Sequence, residues 1–216
     1  MHEIAPMERH ELDDAIATAS RAFWPDPLFG FFARNSVDEH RALPILLGAM
    51  VRDGANHGEV WIARRADRVV GSATWYPPGA LPRPRGREFR IYLACARALL
   101  NGTNRRTGLR LLDAVEKAHP TEPHWYLAVL GVDPSMQGRG LGRALLEPVL
   151  DRCDQLLEPA YLETQKPDNL PFYERFGFTV VGEVRVADSP TIWRMWRDPD
   201  PDRLTPNSFE RTNPHS

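Results

Sequence analysis

Apolar residues recur at spacings of three and four over residues 7–23, where Leu12, Ala15, Ile16, Ala19 and Phe23 share one side of a helix. Trp24-Pro25-Asp26-Pro27 stops that helix, and Phe29, Phe31 and Phe32 crowd the stretch that follows. A second helix is predicted over about 37–56, with Pro44 as a point where it can kink. The period then shortens. Residues 59–64 and 69–76 read as strands joined by a hairpin turn, and Pro77-Pro78-Gly79 closes the second. A basic, proline-rich loop over 81–86 leads into helical patterns at 88–100 and 107–119, split by Asn101-Gly102. A strand at 124–132, an amphipathic helix at 140–156, a strand at 161–164 and a short helix at 170–176 follow. Strands at 179–186 and 191–196 complete the pattern. Strands in the first half and at the end look antiparallel, and the segment 125–164 looks like one parallel crossover. The prediction is an α/β (α+β) fold: a mixed, mostly antiparallel sheet of six or seven strands with helices on both faces.

Composition narrows the function classes. The chain has 216 residues, 42% hydrophobic and 26% charged, with a formal net charge of -2. That suits one domain over 1–197, and no long basic block marks a nucleic-acid binder. No apolar run reaches the ~18 residues of a membrane helix, and no signal peptide is expected at Met1-His2-Glu3-Ile4. Cys95 and Cys153 fall in helix-like apolar patterns, which reads as buried free thiols in the cytoplasm; their spacing builds no metal site. Residues 198–216 are polar and proline-rich, and are expected to form a disordered tail.

The chemistry concentrates in Leu130-Gly131-Val132-Asp133-Pro134-Ser135-Met136-Gln137-Gly138-Arg139-Gly140-Leu141-Gly142-Arg143. The segment leaves a strand and opens a helix, so unpaired N–H groups and the positive end of the helix dipole face an approaching anion. A phosphate or pyrophosphate is the natural ligand. A P-loop needs Lys followed by Ser or Thr after its last glycine, and Arg143-Ala144 stands there instead. A dinucleotide fingerprint needs a glycine where Arg143 falls, so both nucleotide readings fail on spacing.

Gln137-Gly138-Arg139-Gly140-Leu141-Gly142 resembles the Q/R-x-x-G-x-G/A motif of the GNAT superfamily of N-acetyltransferases. Asn169-Leu170-Pro171-Phe172-Tyr173-Glu174-Arg175-Phe176-Gly177-Phe178 resembles that superfamily's later block, and the two fall in the right order. Within the superfamily both blocks are most similar to puromycin N-acetyltransferase-like members. The resemblance implies direct transfer of an acetyl group from acetyl-CoA, as co-substrate and without a metal, to a primary amine of a small molecule. It implies that Leu130, Gly131 and Val132 run beside the pantetheine arm. Gln137, Gly138, Arg139, Gly140, Leu141, Gly142 and Arg143 would cradle the pyrophosphate. Asn169 would bond the pantetheine and cap the short helix, and Tyr173 would protonate the departing thiolate. Asn169 and Tyr173, four apart, share a helix face.

The base is open at this stage. The family's glutamate position on the preceding strand falls on Tyr126, with His124, Glu163 and a water chain as alternatives. His124 also reads as a surface histidine. Trp24, Phe29, Phe31 and Phe32 read as helix packing or as an apolar acceptor pocket. Arg83, Arg85, Arg87 and Arg90 read as a solvated basic face, or as a site for an anionic acceptor or the 3′-phosphate of CoA. Protein lysines as acceptor, a longer acyl donor, a non-catalytic CoA-binding regulatory role and a homodimeric assembly stay open beside the main reading.

Overall fold

The computed structural model describes residues 2–82, 84–98 and 102–204. Its elements run β1 (Glu3–Pro6), α1 (Leu12–Ala22), α2 (Pro27–Phe32), α3 (Ser36–His57), β2 (Glu59–Arg65), β3 (Arg68–Tyr76), α4 (Arg85–Ala98) and α5 (Arg105–Ala118). Then come β4 (Trp125–Val132), α6 (Leu141–Leu156), β5 (Ala160–Thr164), α7 (Leu170–Glu174), β6 (Thr179–Val184) and β7 (Ile192–Arg197). The seven strands form one sheet in the order β1-β2-β3-β4-β5-β7-β6. Only the β4–β5 pair is parallel. The mixed, mostly antiparallel α/β architecture therefore matches the sequence pattern.

Two elements escape that pattern. β1 has four residues, too few for a period, and its place comes from long-range pairing to β2 at Ile4–Ala63 and Ala5–Ile62. α2 is set by Asp26, whose carboxylate accepts from the Leu28 and Phe29 amides, with Pro27 at the first helical position. The helix predicted from residue 7 starts at Leu12, and α3 runs through Pro44 as one helix.

The sheet is covered on both faces. On one, Leu141, Leu145, Leu146, Val149 and Leu150 of α6 pack on Trp75, Trp125, Leu127 and Leu162. On the other, Ala15, Ile16 and Val51 meet Val60, Ile62 and Val69, while Ala19, Leu43 and Leu47 meet Val129. Both cysteines are buried and outside any disulfide, Cys153 within the α6 core. No helix among the described residues is long and apolar enough to cross a membrane.

The chain beyond Asp198, expected to be disordered, is ordered through Leu204. Pro201–Leu204 forms a short 3₁₀ turn against α6. Arg203 Nε donates to Asp154 Oδ2 at 2.7 Å, and the Asp200 amide donates to Asp154 Oδ1 at 2.7 Å. Composition misled here because the turn docks through charge rather than apolar area: Asp154 is fully buried beside Arg197 and needs donors. Residues 205–216 of the expected tail lie outside the described residues.

One irregularity positions everything that follows. On β3, Trp75 pairs with Leu127 and Thr74 with Val129, so Ala128 is an extra residue on β4. This bulge reverses the side-chain alternation. Before it, Trp125 and Leu127 face α6. Ala128 and Val129 both face α1 and α3, after which Leu130 and Val132 return to the α6 face. β4 also parts from β5, with pairing confined to Trp125–Ala160, Tyr126–Tyr161 and Leu127–Leu162. Past Leu127 the edge of β4 toward β5 has no strand beside it.

Candidate active site

A cavity of about 1160 Å³ opens on the α6 face of this split. It brings together Leu130, Val132, Gln137, Gly138, Gly140, Leu141, Gly142, Arg143, Asn169 and Tyr173, ten of the residues singled out by sequence. Gly131 and Arg139 do not line it. The side of Gly131 where a Cβ would stand is pressed to 3.0 Å from Ala22, so its small size serves the seating of α1 on β4. Arg139 is exposed and makes no hydrogen bond among the described residues.

The three glycines of the loop have different reasons. Gly138 and Gly140 have φ of +72° and +77°, a left-handed conformation that costs an L-residue about 1–2 kcal/mol. A Cβ on either would meet nothing within 4 Å, so both border open space. Gly142 lies inside α6, where a Cβ would stand 3.2 Å from the Phe172 ring. The first two shape the turn, and the third lets α7 approach. Gln137 Nε2 donates to the Val132 carbonyl at 3.1 Å, and Asp133 accepts from the Ser135 amide at 3.1 Å. These bonds hold the turn while the first N–H groups of α6 point outward without intrahelical acceptors. Arg143 pairs with Glu147 at 2.6 Å on the exposed side of the same helix.

Asn169 does not cap α7. Its amide donates instead to Thr164 Oγ1 at 3.1 Å, tying the start of α7 to the end of β5. Tyr173 is 7% exposed, borders the cavity, and its hydroxyl has no hydrogen bond among the described residues. Burial alone pushes the phenol pKa up, so it holds its proton throughout the neutral range.

A second cavity, of about 410 Å³, lies on the opposite face beneath α4 and α5. Tyr126, His124 and Glu163 border it, and so does His119, which the sequence reading passed over. His124 is buried, not a surface histidine: Nδ1 lies 2.6 Å from the Glu122 carbonyl and Nε2 lies 3.2 Å from His119 Nε2. Burial pushes its pKa below the ordinary value. His119 Nδ1 is in turn 3.4 Å from Glu163 Oε1. Tyr126 carries a phenol where a carboxylate was sought, stacked on Tyr76 and edge-on to His119. His119 follows a helix in a proline-rich stretch, and only its spacing of five from His124 could have drawn notice.

Other expected groups are elsewhere. Phe29 packs with Leu43 and Leu47, and Phe32 packs with Leu111 and Ile192; neither they nor Trp24 and Phe31 border the two cavities. Arg87 is no solvated residue, because it makes a two-point contact with Asp53, at 3.1 and 2.9 Å, that straps α4 to α3. Arg85 and Arg90 are exposed, and Arg83 lies outside the described residues.

Comparison with known proteins agrees with this geometry. The profile of the acetyltransferase (GNAT) family matches residues 16–178. N-alpha-acetyltransferase RimI of Mycobacterium tuberculosis is 30% identical over 166 residues, covering 72% of this chain and 96% of that protein. An uncharacterised N-acetyltransferase of Schizosaccharomyces pombe is 48% identical over 54 residues, a match spanning 25% of this chain and 22% of that longer protein. The crystal structure of a histone acetyltransferase HPA2 and related acetyltransferase from Corynebacterium glutamicum superposes with a TM-score of 0.67 at 23% identity, over 92% of this chain and 97% of that one. The split between β4 and β5, the glycine turn before α6 and the profile match over most of the sequence agree: the chain belongs to the acetyltransferase (GNAT) family.

Proposed function

We propose that the protein transfers an acetyl group from acetyl-CoA to the primary amine of a small molecule. One observation carries the reading: the two cavities lie on opposite faces of the sheet at the point where β4 and β5 part. Leu130, Val132 and Tyr173 border the first, and Tyr126 and Glu163 the second. A thioester and an amine can thus reach one another through the sheet without sharing an entrance.

The pyrophosphate lies on the outward N–H groups between Gly138 and Arg143, where the α6 dipole favours negative charge. The pantetheine amides pair with the edge of β4 beyond Leu127, as an added strand would. The amine, as its neutral form, attacks the carbonyl carbon; the C–S bond breaks and Tyr173 gives its proton to sulfur. With no hydrogen bond to hold it elsewhere, that hydroxyl is free to follow the leaving group.

A cavity of about 410 Å³ under two helices suits a small molecule, within the ~300–1,000 Å³ of ordinary ligand pockets. A polypeptide N-terminus is the second reading, favoured by the likeness to RimI. Free-thiol release from acetyl-CoA tests both, with a panel of small primary amines, puromycin among them, beside N-terminal and lysine-containing peptides. Release with small amines supports the proposal. Release only with peptides favours the second reading, and binding of CoA without release with any acceptor makes the protein a regulatory module. Competition by longer acyl-CoA thioesters reports on the donor.

A further inference from the structure

His119 sits between α5 and β4, with its ring 5.0 Å from His124, 4.9 Å from Tyr126 and 5.0 Å from Tyr161. These contacts hold the plane of the imidazole, and its hydrogen bonds determine where its protons are. The Glu122 carbonyl can only accept, so His124 Nδ1 carries the proton of that 2.6 Å bond. Burial keeps His124 neutral near pH 7, which leaves its Nε2 as an acceptor. His119 Nε2, 3.2 Å away, must therefore donate. In the neutral ring the lone pair is then on Nδ1. His119 borders the second cavity, and its Nδ1 lies 3.4 Å from Glu163 Oε1. Glu163 Oε1 is buried and accepts no hydrogen bond among the described residues.

We propose that His119 is the general base for the acceptor amine, with Nδ1 as the accepting atom, and that His124 and Glu163 are positioning residues. The proposal rests on the acetyl-transfer reading above. A bound ammonium passes one proton to Nδ1, leaving a neutral amine. The nitrogen lone pair forms the C–N bond, the C–S bond breaks, and the thiolate takes the Tyr173 proton. The second proton released from nitrogen replaces it, and the proton on His119 leaves to solvent. Protonated His119 donates to the orphaned Glu163 oxygen, so the charge and the missing hydrogen bond are supplied together.

The surroundings suit the role. From β5 the ring faces Glu163 and Tyr161, and from β4 it faces His124 and Tyr126. Glu116 precedes it on α5, and Glu122 follows in the loop. Arg194 of β7 is the strand partner of Glu163, but its Nη1 donates to the Ala118 carbonyl at 2.6 Å, beside the base rather than onto it. Among the described residues, no Lys or Arg borders the cavity. An incoming ammonium meets carboxylates and imidazoles.

The test combines kinetics with ¹⁵N spectroscopy of the full chain. His119→Gln should lower kcat/KM for the amine by about 10²–10⁴-fold at pH 7 while leaving acetyl-CoA affinity unchanged, since the donor binds across the sheet. The loss should shrink as pH rises toward the pKa of the amine, where free amine is supplied by solvent. Glu163→Gln should fall less, in kcat rather than in KM, and Glu163→Asp should recover part of the loss. Ring-nitrogen shifts of wild type should show His119 as the Nε2–H tautomer, a readout independent of turnover. A His119 found as the neutral Nδ1–H tautomer overturns the proposal, as does an active wild type with an indifferent His119→Gln variant. A wild type that releases no thiol with any amine instead overturns the parent reading.

Discussion

Asp154 on α6 and Arg197 on β7 form an ion pair 2.7 Å long that is almost wholly removed from solvent. Arg197 also donates to the Phe176 carbonyl at 2.7 Å, so the pair ties α6, the end of α7 and the last strand together behind the donor cavity. Removing one member strands a buried charge. Asp154→Ala should cost about 3–5 kcal/mol, read as a shifted denaturant midpoint. A loss below 1 kcal/mol would mean that water reaches Arg197.

The same aspartate governs the C-terminal turn. Removing residues 199–216 takes away the Asp200 amide and the Arg203 guanidinium, both on Asp154. Hydrogen bonds to a charged group contribute about 1.5–3 kcal/mol each, and in a chain of this size each kcal/mol moves Tm by roughly 2–4 °C. Thermal melting should therefore fall by about 6 °C or more. Arg203 and Leu204 border the donor cavity, so acetyl-CoA affinity should fall as well. An unchanged melting curve would show that the turn contributes nothing.

Gly140→Asp should remove acetyl-CoA binding, because it adds a negative charge and a left-handed strain at the helix N-terminus. Gly140→Ala carries the strain alone and should bind with intermediate affinity. Calorimetry distinguishes the two. Equal affinities would remove the electrostatic account of the loop.

Tyr173→Phe keeps the ring packed against Phe172 and Phe178 and deletes only the hydroxyl. Donor affinity should be retained, with turnover lowered about 10²-fold, the low end for losing a general acid, since thiolates leave fairly well unprotonated. A shared loss in affinity and turnover would mean that the hydroxyl positions the cofactor.

Acid stability should depend on Glu11, whose carboxyl is held below its ordinary value of 4.5 by hydrogen bonds from Arg64, at 2.6 and 2.8 Å. A folded pKa below the unfolded one gives stability that is complete above the unfolded value and lost as pH falls through the folded one. The stability difference between wild type and Glu11→Gln should thus be constant from pH 7 to about 5.5 and shrink below about 4.5. Parallel denaturant titrations at several pH values would measure it, and a difference that grows toward acid would contradict the sign.

The parts legible in the sequence are those made by local chemistry. Gly138 and Gly140 announce a left-handed turn, and the apolar spacing of Leu141, Leu145 and Val149 announces the helix it opens. What escaped depends on distant partners. β1 exists because β2 offers it an edge. Arg87 is half-buried because Asp53, on another helix, holds it. Tyr126 was reached by counting back from Val132 to the family's glutamate position, a count that does not reveal which face the extra residue at Ala128 gives each side chain. His119 acquires its significance from a neighbour's carbonyl and from a carboxylate on β5, neither adjacent in the chain.

The bulge at Ala128 makes β4 a strand with two audiences. Positions 124 and 126 border the cavity beneath α4 and α5, and 130 and 132 border the cavity beside α6, although all four are even-numbered and would share one face of a regular strand. On the proposed reading, a change of acceptor preference can be introduced upstream of residue 128 while the thioester continues to meet the same surface. Straightening β4 with Ala128 kept in the strand would end that independence: Leu130 and Val132 would turn toward α1, and Gly131 toward α6. Deleting Ala128 instead would restore regular pairing with β3 and leave Leu130 and Val132 on the α6 face, so it is the spare residue that lets even-numbered positions serve both sides of one strand.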